Sequence, residues 1–439
     1  MLESPCWRCL LQRPAARKEL RPVRSSLIKK IILVLLIVVI LPIGATGCYD
    51  RWEPDDLAYV LVMGFDKGVT DKLRLTLQIA SFRDQGEGGS QKKGGGQASA
   101  TESVTVECPS LFTGINIANI TTSRRISLMH SKYVVFSEEM ARSGDFEKYV
   151  IDLPRFREFR KSTHIVISRG KASDFIAQNK TFLSMRPAKA FSLILSQQVR
   201  DSFLPRGRFF DLYNGLKSDI EEPVAILGGV NPLKLKQPGG GEHQESVSGG
   251  EYVAGEVPRQ GGVKRDFFGA AVFRGPKMVG ALDGEETRVL GMVTGDLQRG
   301  FFTIKDPENP DYIVALDVRP ARRTQIKVNV KGDRPVVDLT VRLEGEILAV
   351  QSGICYEEKE KKAVLERAFE QEIEERMDSL VDECQNEFRS DIFGFGRRAV
   401  THFLYEKEWD NYNWPEKFPT AQVNTDVDFI IRRTGMIFK

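Results

Sequence analysis

The sequence predicts an α+β protein of several domains, with mixed or antiparallel sheets and packed helices. Three observations predict it. Short stretches alternate apolar and polar residues, as in Leu73-Arg-Leu-Thr-Leu-Gln-Ile79 and Ile326-Lys-Val-Asn-Val330, which is the period of a strand with one buried face. One long charged stretch, residues 357–388, instead sets Leu365, Phe369, Ile373, Met377, Leu380, Cys384 and Phe388 at spacings of three and four, the stripe of a helix that buries one side. The third is size: 439 residues with 41% hydrophobic content can build two or three cores.

The chain opens on a leader. In residues 27–48, LIKKIILVLLIVVILPIGATGC, Lys29 and Lys30 precede an apolar run at 31–41, which Pro42 and Gly44 are expected to break. A positive flank, a short apolar core and small residues ahead of a cut are the parts of a secretory signal peptide. The run is shorter than the about 20 residues that cross a bilayer as a helix. Ala45-Thr46-Gly47 ahead of Cys48 is the arrangement of a bacterial lipoprotein signal. Small side chains let the backbone enter a peptidase cleft, and the Cys48 sulfur takes a diacylglyceryl group. Two acyl chains are the two anchors that durable membrane attachment needs. The alternative is a plain signal peptide or a signal anchor with an incidental Cys48. Residues 1–47 are therefore read as a lipoprotein signal peptide, its first 26 residues as an upstream start-site extension. Cys6 and Cys9 fall in that extension and are not read as a metal site.

Charge and cysteine usage exclude two classes. Residues 1–47 hold eight of the 63 Lys and Arg and two of the 60 Asp and Glu, leaving 55 against 58, a net of −3. No global basic field remains for nucleic acid. Beyond the leader the cysteines are Cys48, Cys108, Cys355 and Cys384. With Cys48 lipidated, one of the others must be unpaired, so there is no disulfide scaffold. Cys355 and Cys384 could pair, or Cys384 could fill the helix stripe as a small hydrophobe.

In order, residues 48–165 read as an N-terminal α+β domain. Residues 57–66 form a largely buried strand, and 73–79 its hairpin partner. Residues 84–98, all Gly, Ser, Gln and other non-apolar types apart from Ala98, form a flexible loop. Residues 101–107 resume the sheet, Ser110 starts a helix, 132–136 is a strand, and Ser137-Glu-Glu opens another helix. Residues 163–168 add a strand. Residues 166–230 read as a second, smaller subdomain with helices near 172–178, 188–199 and 209–219. Residues 231–262, rich in Gly, Pro, Gln and Glu, read as a flexible linker, and 263–439 as a C-terminal domain that folds separately. There, 267–273 and 277–282 make a hairpin about Arg274-Gly275-Pro276, and 285–292 a short helix. Alternating strands follow in 301–304, 312–330 and 336–350, which suits an antiparallel sheet with one wet face. The long helix packs its stripe on that sheet. Phe393-Gly-Phe-Gly396 breaks it, a second helix runs to about Trp409, and residues 423–431 close the chain as a strand.

Little points to catalysis. His130, His164, His243 and His402 are far apart in sequence and none has a metal-ligand spacing. Glu344 and Glu346 share a strand face and could do acid–base work, although such pairs are usually just solvated. Gly94-Gly-Gly96 and Gly239-Gly-Gly241 lack the strand-to-helix setting of a phosphate loop. Arg155, Arg157, Arg160 and Lys161 could meet anionic headgroups or an acidic partner loop, or be a solvated edge. No catalytic, cofactor or metal residue is assigned.

Three regions carry a resemblance. The first is Gly47-Cys48-Tyr-Asp-Arg-Trp52 with Asp56-Leu-Ala-Tyr-Val-Leu61 and Gly64-Phe-Asp-Lys67. The second is the long charged helix ending in Asp391-Ile-Phe-Gly-Phe-Gly396. The third is Trp409, Trp414, Phe418-Pro419 and Val423-Asn424, running to Ile431-Arg-Arg-Thr-Gly-Met-Ile437. In these the chain resembles the Ger(x)C spore germination lipoproteins, the C subunits of nutrient germinant receptors. It departs from their usual pattern at Ala45 and in its long leader. The resemblance implies a non-enzymatic three-domain α+β protein, held by its lipid on the outer face of the spore inner membrane. It implies a complex with the integral membrane A and B subunits. The rival reading is a ligand-binding lipoprotein of a transport system, which usually has two parallel-sheet lobes around a cleft.

Overall fold

The structure, a computed structural model, describes residues 23–45, 52–81, 101–180, 187–235, 247–332 and 334–433. The chain divides into two units, Met1–Pro54 and Asp55–Lys439. In the first, a helix, α1, spans Val23–Ala45. It runs through Pro42, where a break was expected: the ring removes one helix hydrogen bond, and the helix ends within a turn. Among the described residues no helix is long and apolar enough to cross a membrane. Cys48 lies outside the described residues, as do the loop at 84–98 and His243.

The second unit is built on two sheets. Its first strands are β1 (Leu57–Lys67), β2 (Leu73–Ala80) and β3 (Thr101–Cys108), joined antiparallel as expected. Helix α2 (Leu111–Thr121) starts at Ser110, whose hydroxyl accepts the Thr113 N–H, satisfying one orphan donor of the first turn. Then come β4 (Arg125–Ser127), β5 (Tyr133–Ser137), α3 (Glu138–Ser143), α4 (Glu147–Asp152), β6 (His164–Ser168), α5 (Ala172–Ala177), α6 (Pro187–Asp201), α7 (Phe209–Gly215) and β7 (Val224–Val230). After the Gly-rich segment follow β8 (Arg265–Arg274) and β9 (Lys277–Leu282).

The sheet order is β3-β2-β1-β5-β6-β7-β8-β9, with β4 beside β1. Its centre, β1-β5-β6-β7, is parallel, and both faces are buried. On β5 and β6, Val134, Phe136, Ile165 and Ile167 enter one core while Tyr133, Val135 and Val166 enter another. A strand covered on both sides reads as a continuous apolar run, which is why the sequence gives no sign of its direction.

The sheet does not stop at the segment expected to separate two bodies. β7 and β8, on either side of residues 231–262, pair antiparallel from Val224↔Val272 to Val230↔Arg265. The described part of that segment is bonded down rather than loose: Asn231 Nδ2 donates to the Val257 carbonyl at 2.8 Å and to Asp266 Oδ2 at 2.6 Å, and Ala254 N–H to the Phe268 carbonyl at 3.1 Å.

The second sheet holds β10 (Gly300–Lys305), β11 (Ile313–Pro320), β12 (Gln325–Asn329), β13 (Val336–Val350) and β14 (Gln422–Arg433). A short helix, α8 (Gly284–Thr294), precedes it, closed by an Asp283–Glu286 capping box. β10-β11-β13-β12 is antiparallel, but β14 lies parallel to β13, a correction to the wholly antiparallel sheet. A parallel return needs a crossover, and α9 (Lys359–Glu383) makes it. Its stripe of Leu365, Phe369, Ile373, Met377, Leu380, Cys384 and Phe388 is buried as expected, each large side chain stabilising by about 1.5–3 kcal/mol. The helix ends in a π-turn at Cys384–Phe388, with Arg389 left-handed. The single helix expected to reach Trp409 is instead four short turns, Gly396–Ala399, Val400–His402, Glu406–Tyr412 and Trp414–Lys417. Asn413, left-handed at φ 53°, separates the last two.

Candidate functional site

The motif at 391–396 is a buried clasp. The Asp391 carboxylate accepts the Gly396 N–H at 2.8 Å, the Phe395 N–H at 3.2 Å and Trp414 Nε1–H at 2.9 Å. Burial pushes its carboxyl up to about 6, and these donors oppose the shift. A Cβ on Gly396 would clash with the Ile220 carbonyl oxygen. The clasp also holds the loop before β7: Glu222 N–H donates to the Asp391 carbonyl at 3.0 Å, and Glu222 accepts the Gly275 N–H at 2.7 Å. With both carboxylate oxygens occupied by fixed donors, this arrangement positions chain segments.

Glu344 and Glu346 lie on β13 as expected, but Glu344 is taken up by Arg319 at 2.7 Å and Arg432 at 3.3 Å. It is a bridge across three strands. Cys108, Cys355 and Cys384 are free thiols; Cys355 is exposed and donates to Glu357 at 2.7 Å, while Cys384 is buried, so the two do not pair. Among the described residues no three His, Cys, Asp or Glu side chains gather as metal ligands. His402 is exposed in the Val400–His402 turn.

The structure brings together two histidines that the sequence separates. His130 and His164 line one pocket of about 340 Å³, with Ser131, Lys132, Arg160, Phe191, Arg206 and Arg208 among its walls. The convergence follows from the sheet: Tyr133 pairs with His164 in parallel register, so the residues just before β5 and β6 meet at one end. His164 N–H donates to the Lys132 carbonyl at 3.1 Å, and Phe209 N–H to the Thr163 carbonyl at 2.7 Å, which adds Arg208 to the same rim. Helix α6 supplies Phe191, stacked on Tyr133 at 4.0 Å between centroids. Burial, then Arg160 and Lys132, holds the His130 imidazole below its ordinary pKa. Burial holds His164 down too, with Arg208 adding to it while its backbone bond at Lys132 opposes. Of the basic stretch, Arg160 lines the pocket; Arg155, Arg157 and Lys161 are exposed and not part of the lining.

A second cavity of about 460 Å³ lies between the α8 side and the 391–398 segment. Four of its charges are paired, Arg397 with Glu221 and Arg206 with Asp296.

Comparison with known proteins covers nearly the whole chain. Residues 50–228 match the family described as "Spore germination protein N-terminal domain", and residues 268–435 match "Spore germination B3/ GerAC like, C-terminal". Spore germination protein KC of Bacillus subtilis (strain 168) is 23% identical over 92% of this chain and 95% of its own length. The putative spore germination protein YfkR of the same organism is 25% identical over 94% and 98%. The crystal structure of the GerBC protein has a TM-score of 0.47 and 16% identity, covering 84% of this chain and 96% of that one. Two domain matches in the expected order, with only residues 229–267 between them, and relatives aligned almost end to end make this chain a member of the Ger(x)C family of spore germination proteins.

Proposed function

We propose that the chain is a non-enzymatic, lipid-anchored subunit of a nutrient germinant receptor. Cys48 carries the diacylglyceryl group after removal of residues 1–47. The folded unit then sits on the outer face of the spore inner membrane and assembles with the integral membrane A and B subunits. The observation that carries this reading is the pair of family matches over residues 50–228 and 268–435, directly behind a leader in which Lys29 and Lys30, an apolar run and small residues precede Cys48. The buried carboxylate of the family-like motif supports a structural role, since Asp391 is saturated by three donors. The transport-lipoprotein alternative calls for two parallel-sheet lobes, and the second sheet is antiparallel except for β14.

The test is mass spectrometry of the N-terminal peptide from spore membranes, with a pull-down from the same membranes. A diacylated Cys48 and co-purified integral membrane partners are expected. An unmodified N-terminus on a protein released from membranes would overturn the anchor. Deletion of the gene should abolish germination by its own nutrient, and unchanged germination would overturn the receptor assignment.

A further inference from the structure

The pocket before β5 and β6 is unusual in its charge. Its lining holds Lys132, Arg160, Arg206 and Arg208, two histidines and four serines, and no carboxylate. Arg206 is paired with Asp296 at 2.6 Å. Among the described residues Lys132, Arg160 and Arg208 are in no ion pair. Outside the lining, Asp211 in the first turn of α7 reaches His164, and Asp296 lies near Arg208 as well as Arg206. Lys132 is half-buried and Arg160 and Arg208 are exposed, so three like charges converge on one concavity open to solvent.

A second, independent feature points the same way. Ser131 lines the pocket and is 4% exposed, yet its hydroxyl oxygen is buried without a hydrogen-bond partner. An unmet buried hydroxyl is unfavourable, and in a polar recess it marks a place where a ligand oxygen would be bonded. The backbone here is fixed: Ser131 N–H donates to the Leu128 carbonyl at 3.0 Å and Lys132 N–H to the Leu61 carbonyl at 2.9 Å. Lys132 thus stands just before β5 and Arg208 at the N-cap of α7, while Arg160 lies in a turn whose carbonyl accepts the Thr163 N–H at 3.0 Å. Phe191 and Leu195 of α6 form an apolar wall opposite them, and about 340 Å³ leaves room for more than a bare ion.

We propose that this pocket binds a phosphate group, held by Lys132, Arg160 and Arg208, with Ser131 donating to one phosphate oxygen and the organic part lying against Phe191. A lone carboxylate would answer one of the three charges. A phosphate offers more charge and several acceptor oxygens, which suits a guanidinium fork. The shared chemistry has two sources, a free phosphate monoester or the phosphodiester of a lipid headgroup. This inference stands apart from the receptor assignment and can fail without it.

The experiment uses the full chain in a non-ionic, phosphate-free detergent, titrated by calorimetry with inorganic phosphate, glycerol 3-phosphate, glycerophosphoglycerol and acetate. Binding of a phosphate compound but not of acetate is expected. Preference for the monoester identifies a free phosphate ester, and preference for the diester a lipid headgroup. Lys132→Gln with Arg160→Gln should weaken binding by about tenfold or more, while Arg155→Gln with Arg157→Gln, from the same basic stretch but outside the lining, should leave it unchanged. If the first double variant does not fold, Arg208→Gln serves in its place. No binding at millimolar concentration, equal binding of acetate, or equal loss in the Arg155/Arg157 variant would overturn the proposal.

Discussion

Glu370 Oε1 accepts the Phe429 backbone N–H at 2.9 Å. The contact is one rung of a ladder: Glu374 accepts from Val427 at 2.9 Å and Glu366 from Ile431 at 2.7 Å. Four residues of a helix advance about 6 Å and two of a strand about 6.6 Å. Glutamates at every fourth position of α9 thus meet alternate N–H groups along the open edge of β14. An unprotected edge is a template for pairing with another chain, and here helix carboxylates occupy it.

Removing the ladder should both destabilise the C-terminal sheet and expose its edge. Glu370→Ala is expected to cost about 1–2 kcal/mol, as for a charge-assisted bond that is partly solvated, and Glu370→Gln less, because an acceptor remains. The triple variant at Glu366, Glu370 and Glu374 should self-associate. Urea denaturation measures the first effect, and analytical ultracentrifugation with amide exchange at Phe429 the second. Unchanged exchange at Phe429 would show that the carboxylates are incidental.

The Asp391 clasp makes a prediction about its tryptophan. Trp414→Phe keeps an aromatic side chain, though a smaller one, and deletes the Nε1 donor, leaving a buried carboxylate with two partners. An under-satisfied buried acceptor costs about 1–3 kcal/mol. The variant should unfold at lower urea with an unchanged slope. A loss no larger than that of an exposed substitution such as Leu404→Ala would mean that the indole N–H contributes nothing.

Two glycines separate backbone strain from crowding. Gly353 is left-handed at φ 74° with open space around it, whereas on Gly396 a Cβ would meet Ile220 and Trp414. Gly353→Ala should cost about 1–2 kcal/mol, and Gly396→Ala more than about 3 kcal/mol, since both neighbours are packed. Thermal melts of the two variants rank the effects, and the reverse order would contradict the packing.

Much of this fold was legible because its elements declare themselves locally. The alternation of Leu73 to Ile79 gave a strand, and the spacing from Leu365 to Phe388 gave a helix with its buried face. Direction was not legible where both faces are covered, as in Val134-Val135-Phe136. The parallel order of β5 and β6 therefore went unread, and with it the meeting of His130, Lys132 and His164. A basic residue or histidine standing just before each of two apolar runs was the available signal. The carboxylate ladder on α9 was not legible, because nothing in Glu366, Glu370 and Glu374 alone says that a strand from residue 422 onward returns beside them. The proposed lipid anchor at Cys48 falls in a segment outside the described residues.

The last prediction concerns pH. Burial first, then the neighbouring Glu286, pushes the Asp283 carboxyl up to about 7. Burial pushes Glu286 up to about 7 as well, with Glu383 and Glu387 raising it and the Asp283 N–H opposing. In the unfolded chain both groups titrate near ordinary carboxylate values, so the folded state holds these protons more tightly. Their contribution to stability is fully present below about pH 4 and is lost as pH rises through about 7. The capping box at the start of α8 therefore becomes a repulsive site above neutrality. Glu286→Gln keeps an acceptor for the Asp283 N–H but removes one charge. It should leave the melting temperature nearly unchanged at pH 5 and raise it at pH 8, by about 2 °C or more. An equal shift at both pH values would mean that the side chain acts through packing rather than through its charge.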